Sequence, residues 1–184
     1  MKRLLALSLT FILVLLISQL AFSRVYLNKD QALKIAFPKA PSVKRKVVWF
    51  EDADIPKIEK LARQKLGLKR IVLYIGKKKD KITGYAIIDN VIGKKEYITY
   101  MLVISPKGKI KGVEILAFRE SQGSEITNRG WRGQFKEKDI QDPIRLRQDI
   151  TNISGATLSC RAITKGVRKL LAIFEIAIKN KTLD

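Results

Sequence analysis

Hydrophobic and polar positions divide the chain into two unlike parts. Lys2 and Arg3 precede an uncharged run from Leu4 to Phe22. Its length, about 19 residues, sits at the boundary between a signal-peptide core and a membrane-spanning helix. Ala21 and Ser23 are small residues at the −3 and −1 positions before Arg24, the pattern of a cleavage site. A buried core helix is disfavoured, because it would have to be apolar on every face. Residues 1–23 are therefore read as a signal peptide or membrane anchor, the length favouring an uncleaved anchor, and 24–184 as one domain. Either reading sends that domain out of the cytoplasm, since the positive end stays inside.

Beyond Arg24 the pattern mixes two periods. Asp30 to Phe37 reads as a short helix stopped by Pro38, and Val47 to Phe50 as a short strand. Ile55, Ile58, Leu61, Ala62 and Leu66 recur at helical spacing, with Gly67 as the stop. Arg70 to Ile75, Ile82 to Val91 and Tyr97 to Ile104 are rich in Val, Ile and Tyr and read as strands. The turn Pro106-Lys107-Gly108-Lys109 closes a hairpin onto Ile110 to Phe118. A last, amphipathic helix runs from Ser159 to about Asn180. Its apolar stripe is Ile163, Val167, Leu170, Leu171, Phe174 and Ile178, with Lys165, Arg168, Lys169 and Lys179 mostly on the other side. Glu120 to Ile153 has no clear period, and a long irregular stretch inside a domain is functional or disordered. The predicted class is α+β: an N-terminal hydrophobic helix, then a mostly antiparallel twisted sheet with packed helices, and a long C-terminal helix.

Composition narrows the chemistry. The 184 residues carry 37 Lys+Arg against 17 Asp+Glu, no His and one Cys. Without His there is no His-based triad, His general base or His-ligated metal. A lone Cys excludes an intramolecular disulfide, a CxxC redox pair, a zinc ribbon and an iron–sulfur cage. No catalytic or metal-ligating residues are assigned, and redox or transfer chemistry has to come from a borrowed cofactor or from oxygen side chains. The formal charge is +20, or +18 once Lys2 and Arg3 are set aside with residues 1–23. That excess points to anionic partners. Nucleic acid is set aside, because the basic residues are spread along the chain rather than clustered with stacking aromatics.

Ser154-Gly155-Ala156-Thr157-Leu158-Ser159 stands directly before the last helix. The first turn of a helix leaves backbone N–H groups unpaired and carries partial positive charge, so it binds phosphate readily. Gly155 lets the backbone approach a ligand or take positive φ, and Thr157 offers a hydroxyl beside that end. Ser and Thr are also ordinary helix caps, and on these residues alone both readings stand.

This SGAT segment, continued by Leu158 to Thr164, resembles the flavinylation motif of the FMN-binding domain family. That family includes the covalent-FMN subunits of the sodium-translocating NADH:quinone reductase and of Rnf-type ferredoxin:NAD oxidoreductases. Phe118 to Ile126 resembles the family's strand-end segment with an acidic residue and a Gly, and Trp131 to Phe135 the block after it. The likeness covers about residues 80–178, with a weaker one in the Asp30–Ala40 helix. It implies that a flavin transferase moves FMN from FAD onto Thr157 as a phosphoester. Ser154, Gly155, Ala156, Leu158 and Ser159 would line the cofactor site, and Arg161 would pair with the phosphate or stay a solvated surface arginine. Trp131 and Phe135 would stack on the ring or pack in the core or loop, and Glu120, less so Glu125, would contact the ring or ribityl chain or sit solvated at a strand end. Cys160 reads instead as a small buried helix residue. The family usually has an acidic residue six positions before the acceptor. Here that position is Thr151, and Asp149 lies two residues further upstream.

The function implied is an exported flavoprotein electron carrier of the inner membrane, facing the periplasm, or secreted if residues 1–23 are cleaved. It would be an electron-transfer component rather than a stand-alone enzyme, passing electrons between membrane quinone-reactive or iron–sulfur partners and periplasmic acceptors such as cytochromes. The alternative is a non-redox, membrane-anchored basic module that binds anionic lipid or another polyanion.

Overall fold

The computed structural model describes residues 24–79 and 81–179. The expected hydrophobic helix and the residues from Asn180 onward lie outside that range. One six-stranded sheet, antiparallel throughout, has the order β1-β6-β5-β4-β3-β2. Its strands are β1 (Arg24–Val25), β2 (Ser42–Trp49), β3 (Arg70–Lys78), β4 (Lys81–Ile92), β5 (Tyr97–Ile104) and β6 (Ile110–Phe118). The helices are α1 (Lys29–Ala36), α2 (Ile55–Ala62), α3 (Arg129–Gly133) and α4 (Thr157–Ala177), with a 3-10 turn at Ser124–Thr127. This is the expected α+β class with a long C-terminal helix. No helix among the described residues is long and apolar enough to cross a membrane.

The differences from expectation are local and have visible causes. β1 is only two residues long, too short to show a period. α1 begins one residue early, because Asn28 and Gln31 form a reciprocal capping box, each side chain accepting the other's backbone N–H at 2.9 Å. α2 ends at Ala62, short of Leu66: Arg63 turns left-handed at φ 56°, and the Glu59 carboxylate accepts the Leu66 N–H at 3.0 Å. α4 starts at Thr157, two residues before the expected Ser159.

The sheet's two faces are covered unequally. α2 and α4 bury the inner face, where Leu73, Ile75, Ile87, Leu102 and Phe118 meet Ile58, Ile163, Leu170 and Phe174. On the outer face α1 covers a smaller cluster of Ala32, Phe37, Ala86, Met101, Val103 and Leu116. Phe37 lies directly on Gly76, where a Cβ would stand 2.4 Å from its ring.

The largest correction concerns α4. Arg168 and Lys169, expected on its polar side, are 7% and 9% exposed. The irregular segment after β6 and the end of α2 supply the partners of Arg168, and β4 supplies that of Lys169. Arg168 donates from Nη1 to the carbonyls of Asp142 and Pro143 and from Nε to that of Leu61, each at 2.9 Å. Burial pulls its guanidinium below its usual pKa. Lys169 pairs with Asp89 of β4 at 2.8 Å, and the same carboxylate oxygen accepts the Tyr100 hydroxyl at 3.0 Å. Burial, reinforced by Asp89, pushes the Tyr100 hydroxyl well above its ordinary pKa, so it remains a donor.

Gly166 makes this crossing possible. A Cβ there would lie 2.5 Å from the Tyr100 hydroxyl and 2.8 Å from Val91 Cγ1. Gly166→Ala is expected to destabilise the fold by about 1–3 kcal/mol, the scale of overpacking, although alanine favours a helix intrinsically. Urea unfolding of the two proteins checks it, and equal midpoints would refute the close crossing.

Candidate functional site

The chain reaches α4 through a tight approach. The Ala156 N–H bonds the Ile153 carbonyl at 3.1 Å, Gly155 takes φ +81°, and the Cys160 N–H returns to Ala156 O at 2.9 Å. Ala156, the N-cap, is buried and has no side-chain oxygen to give. The N–H groups of the first turn are therefore not capped by a side chain. Ser and Thr do not act as caps here, although capping was the ordinary reading of the sequence.

Thr157 opens the helix half-buried, and its hydroxyl is held: Asn152 Nδ2 donates to Thr157 Oγ1 at 3.0 Å. Asn152 Oδ1 is buried and has no hydrogen-bond partner among the described residues. Such a buried polar atom costs free energy unless something pairs with it. Around Thr157 lie exposed Ser154, Gly155, Leu158 and Arg161. A Cβ on Gly155 would meet nothing within 4 Å, so the space beside it is open. Asn152 was missed in the sequence, where an Asn before a small-residue loop looks like any turn former.

The strand-end segment joins the same place. Gly123 has φ +93°, and a Cβ there would stand 2.6 Å from Ser159 Oγ, so backbone packs directly on the first turn of α4. Ser159 is buried in this contact and is not open to a ligand. Glu125 is exposed on the 3-10 turn that follows. Burial pushes the Cys160 thiol up, and it stays a buried, unreactive neighbour.

Three predicted ligand contacts have other occupations. Trp131 is 5% exposed and Phe135 fully buried, packed edge to face at 5.4 Å. Neither ring has a face open to a flavin; α3 turns Trp131 into the core, and the turn after it does the same for Phe135. Trp131 Nε1 instead donates to the Thr151 carbonyl at 2.8 Å, and Gln134 Oε1 accepts the Thr151 N–H at 2.8 Å. Glu120 clamps the β4–β5 hairpin: its Oε1 accepts the backbone N–H groups of Lys94, Lys95 (2.7 Å) and Glu96 (3.0 Å). Burial pushes its pKa up, but these three N–H groups and the Lys94 charge together hold it below the usual carboxylate range.

Residues 93–172 match the model of the FMN-binding domain family. This segment belongs to that family. One subunit of the Na(+)-translocating ferredoxin:NAD(+) oxidoreductase complex of Acetobacterium woodii is 24% identical over 144 residues, 71% of this chain and 69% of the relative. A subunit of the proton-translocating ferredoxin:NAD(+) oxidoreductase complex of Clostridium ljungdahlii is 28% identical over 103 residues, 52% of this chain and 56% of the relative. The crystal structure of Shewanella oneidensis NqrC shares the fold at a TM-score of 0.53 with 16% identity, covering 83% of this chain and 85% of that one.

Within this FMN-binding domain, Asp149 does not stand in for the acidic residue that the motif has at Thr151. Its carboxylate accepts the N–H groups of Ile144 (3.0 Å) and Arg145 (2.7 Å) and pairs with Lys138 at 3.1 Å. Burial works against ionisation, but these partners keep its pKa lowered. It knots the loop that leads to the site.

The hairpin clamp has a pH signature. A carboxyl whose native pKa is depressed stabilises the fold above its unfolded pKa and loses that contribution as pH falls through the native value. Glu120→Gln is therefore expected to cost about 1 kcal/mol near neutrality, a charged hydrogen-bond cluster discounted for solvent screening. The difference from wild type should close at a pH low enough to protonate the native carboxylate, below the usual carboxylate range. Urea titrations at both pH values check it, and an equal loss at each would contradict the ionic clamp.

Proposed function

We propose that the chain is a membrane-anchored FMN-binding electron-transfer subunit, carrying FMN as a phosphoester on Thr157. The supporting observation is the Thr157 hydroxyl itself, placed at a helix start with no side-chain cap, oriented by Asn152 and flanked by open space. The residues present fit a phosphate. The first-turn N–H groups of α4 would hold its oxygens, with the helix dipole adding roughly 0.3–1 kcal/mol at an exposed end and more when partly buried. Asn152 would keep donating toward the phosphoester, and its unpaired Oδ1 would meet a donor on the bound group. Arg161, one turn on, would add positive charge, while Ser154 and Gly155 would line the approach and Leu158 would offer apolar surface.

Attachment requires a flavin transferase. Thr157 loses its hydroxyl proton, Oγ1 bonds to the FMN phosphorus, and the P–O bond to the AMP portion of FAD breaks, so that AMP leaves. Once bound, FMN supplies the one- and two-electron chemistry that a side-chain set without His and with one buried thiol lacks. The protein contributes attachment, orientation and a basic surround. The relatives named above are subunits of ferredoxin:NAD(+) oxidoreductase complexes. By analogy, this chain passes electrons between membrane redox partners, quinone-reactive or iron–sulfur, and periplasmic acceptors such as cytochromes. Residues 1–23 hold it at the inner membrane, and residues 24–184 form the domain on the periplasmic side.

Co-expression with a flavin transferase tests the assignment. Wild type and Thr157→Ser are expected to gain the mass of one FMN and to fluoresce in a denaturing gel, and Thr157→Ala to do neither. An unchanged wild-type mass, or a fluorescent Thr157→Ala band, would overturn it.

A further inference from the structure

The four most exposed large apolar side chains among the described residues are Val25 (65%), Trp49 (62%), Ile92 (58%) and Tyr97 (55%). They are far apart in sequence, yet the register places them on one face at one end of the sheet. Val25 is paired with Ala117, Ala117 with Thr99, and Thr99 with Asn90. Ile92 and Tyr97 face each other two residues further along the same two strands. Trp49 is paired with Arg70, whose guanidinium lies 4.9 Å from the indole centroid. Side chains two apart on a strand share a face, so all four belong to the outer face. There Val25 lines a groove with Val72, Tyr74, Ile88 and Ala117, the part of that face that α1 leaves open, and Trp49, Ile92 and Tyr97 continue the apolar surface along the same end. Lys29 and Arg119 line it, Arg70 lies against Trp49, and Lys94 and Lys95 sit in the β4–β5 turn beside Ile92 and Tyr97.

The geometry points to a bilayer seat: we propose that this end of the sheet's outer face, from β1 at one edge to β2 at the other, lies in the headgroup layer of an anionic membrane. The inference rests on the reading of residues 1–23 as an anchor. The uncharged run ends at Phe22, three residues before Val25, and Val25 is fixed to β6 at the β1 edge of this end. At no more than about 3.6 Å per residue, that edge stays within about 11 Å of the end of the run. The tether is thus too short to lift the β1 edge clear of the membrane surface, and Trp49 on β2, the opposite edge strand five strand spacings or about 24 Å away, reports whether the whole end lies down on it. Trp and Tyr beside aliphatic side chains, ringed by Lys and Arg, is the chemistry that the interface of anionic lipid favours. α4 starts at this same end, where Gly123 meets Ser159, but on the inner face. Thr157 is thereby held near the membrane without being covered by it.

The chain has two tryptophans, Trp49 and the buried Trp131, so intrinsic fluorescence reports on the seat. The full chain is reconstituted into phosphatidylglycerol vesicles whose acyl chains are brominated just below the headgroups. The Trp49 emission, obtained by difference from Trp49→Phe, is expected to fall by about half or more relative to unbrominated vesicles. Lys94→Glu combined with Lys95→Glu, or purely phosphatidylcholine vesicles, should weaken the quenching. Flotation of the vesicles after alkaline washing reports on the anchor separately. A chain that floats with Trp49 unquenched overturns the seat and leaves the anchor reading intact. Unquenched emission that is also blue-shifted assigns the face to a second copy or a protein partner and likewise overturns the seat. A chain that does not float overturns both.

Discussion

The buried pair of Lys169 and Asp89 is the constraint around which the rest of the fold is arranged. An ammonium and a carboxylate out of water are costly unless their geometry is good and their remaining hydrogen bonds are met. Here the carboxylate is also engaged by Tyr100, and all three groups sit where α4 crosses β4 and β5. The crossing is close only because residue 166 has no side chain. Partner, depth and rotation of the helix are thus specified together, since a helix shifted by one residue would bury an ammonium against apolar surface. Its first turn, and with it Thr157, is carried to a defined place beyond the end of the sheet.

A helix inserted this way needs cover on its other sides, which accounts for the long aperiodic segment between β6 and α4. It is neither disordered nor a ligand loop along its length. Arg168 gathers two of its carbonyls and one from α2. Trp131 and Gln134 clamp Thr151, and Asp149 closes the turn before it. The segment is a wrapper held by hydrogen bonds to backbone, a kind of order that needs no hydrophobic period.

That distinction explains what was legible in the sequence. β5 and β6 coincide with their expected bounds, because runs of Val, Ile, Leu and Tyr flanked by a Pro-Gly turn are a local signal. The motif before α4 was legible for the same reason, since small residues directly before an amphipathic run mark a helix start. Arg168 and Lys169 were not legible, because their burial depends on carbonyls and a carboxylate 25 or more residues away. Trp131 and Phe135 mislead in the opposite sense. Aromatics in an aperiodic stretch look available, and only the short helix that carries Trp131 and the turn that follows it with Phe135 face them inward. Asn152 carries no pattern at all; its meaning appears only once its amide is seen on the Thr157 hydroxyl.

The contact between Gly123 and Ser159 carries a further consequence for the lifetime of the site. Loops that hold reactive groups commonly belong to the least stable part of a domain and open independently of it. Here the segment leaving β6 and the entry of the core helix touch through the Ser159 side chain, which rests on Gly123 where no side chain fits. The first turn of α4 cannot separate from that strand exit without releasing the helix that covers the sheet. Thr157 therefore belongs to the same cooperative unit as the core, and a group held there would share the persistence of the whole domain.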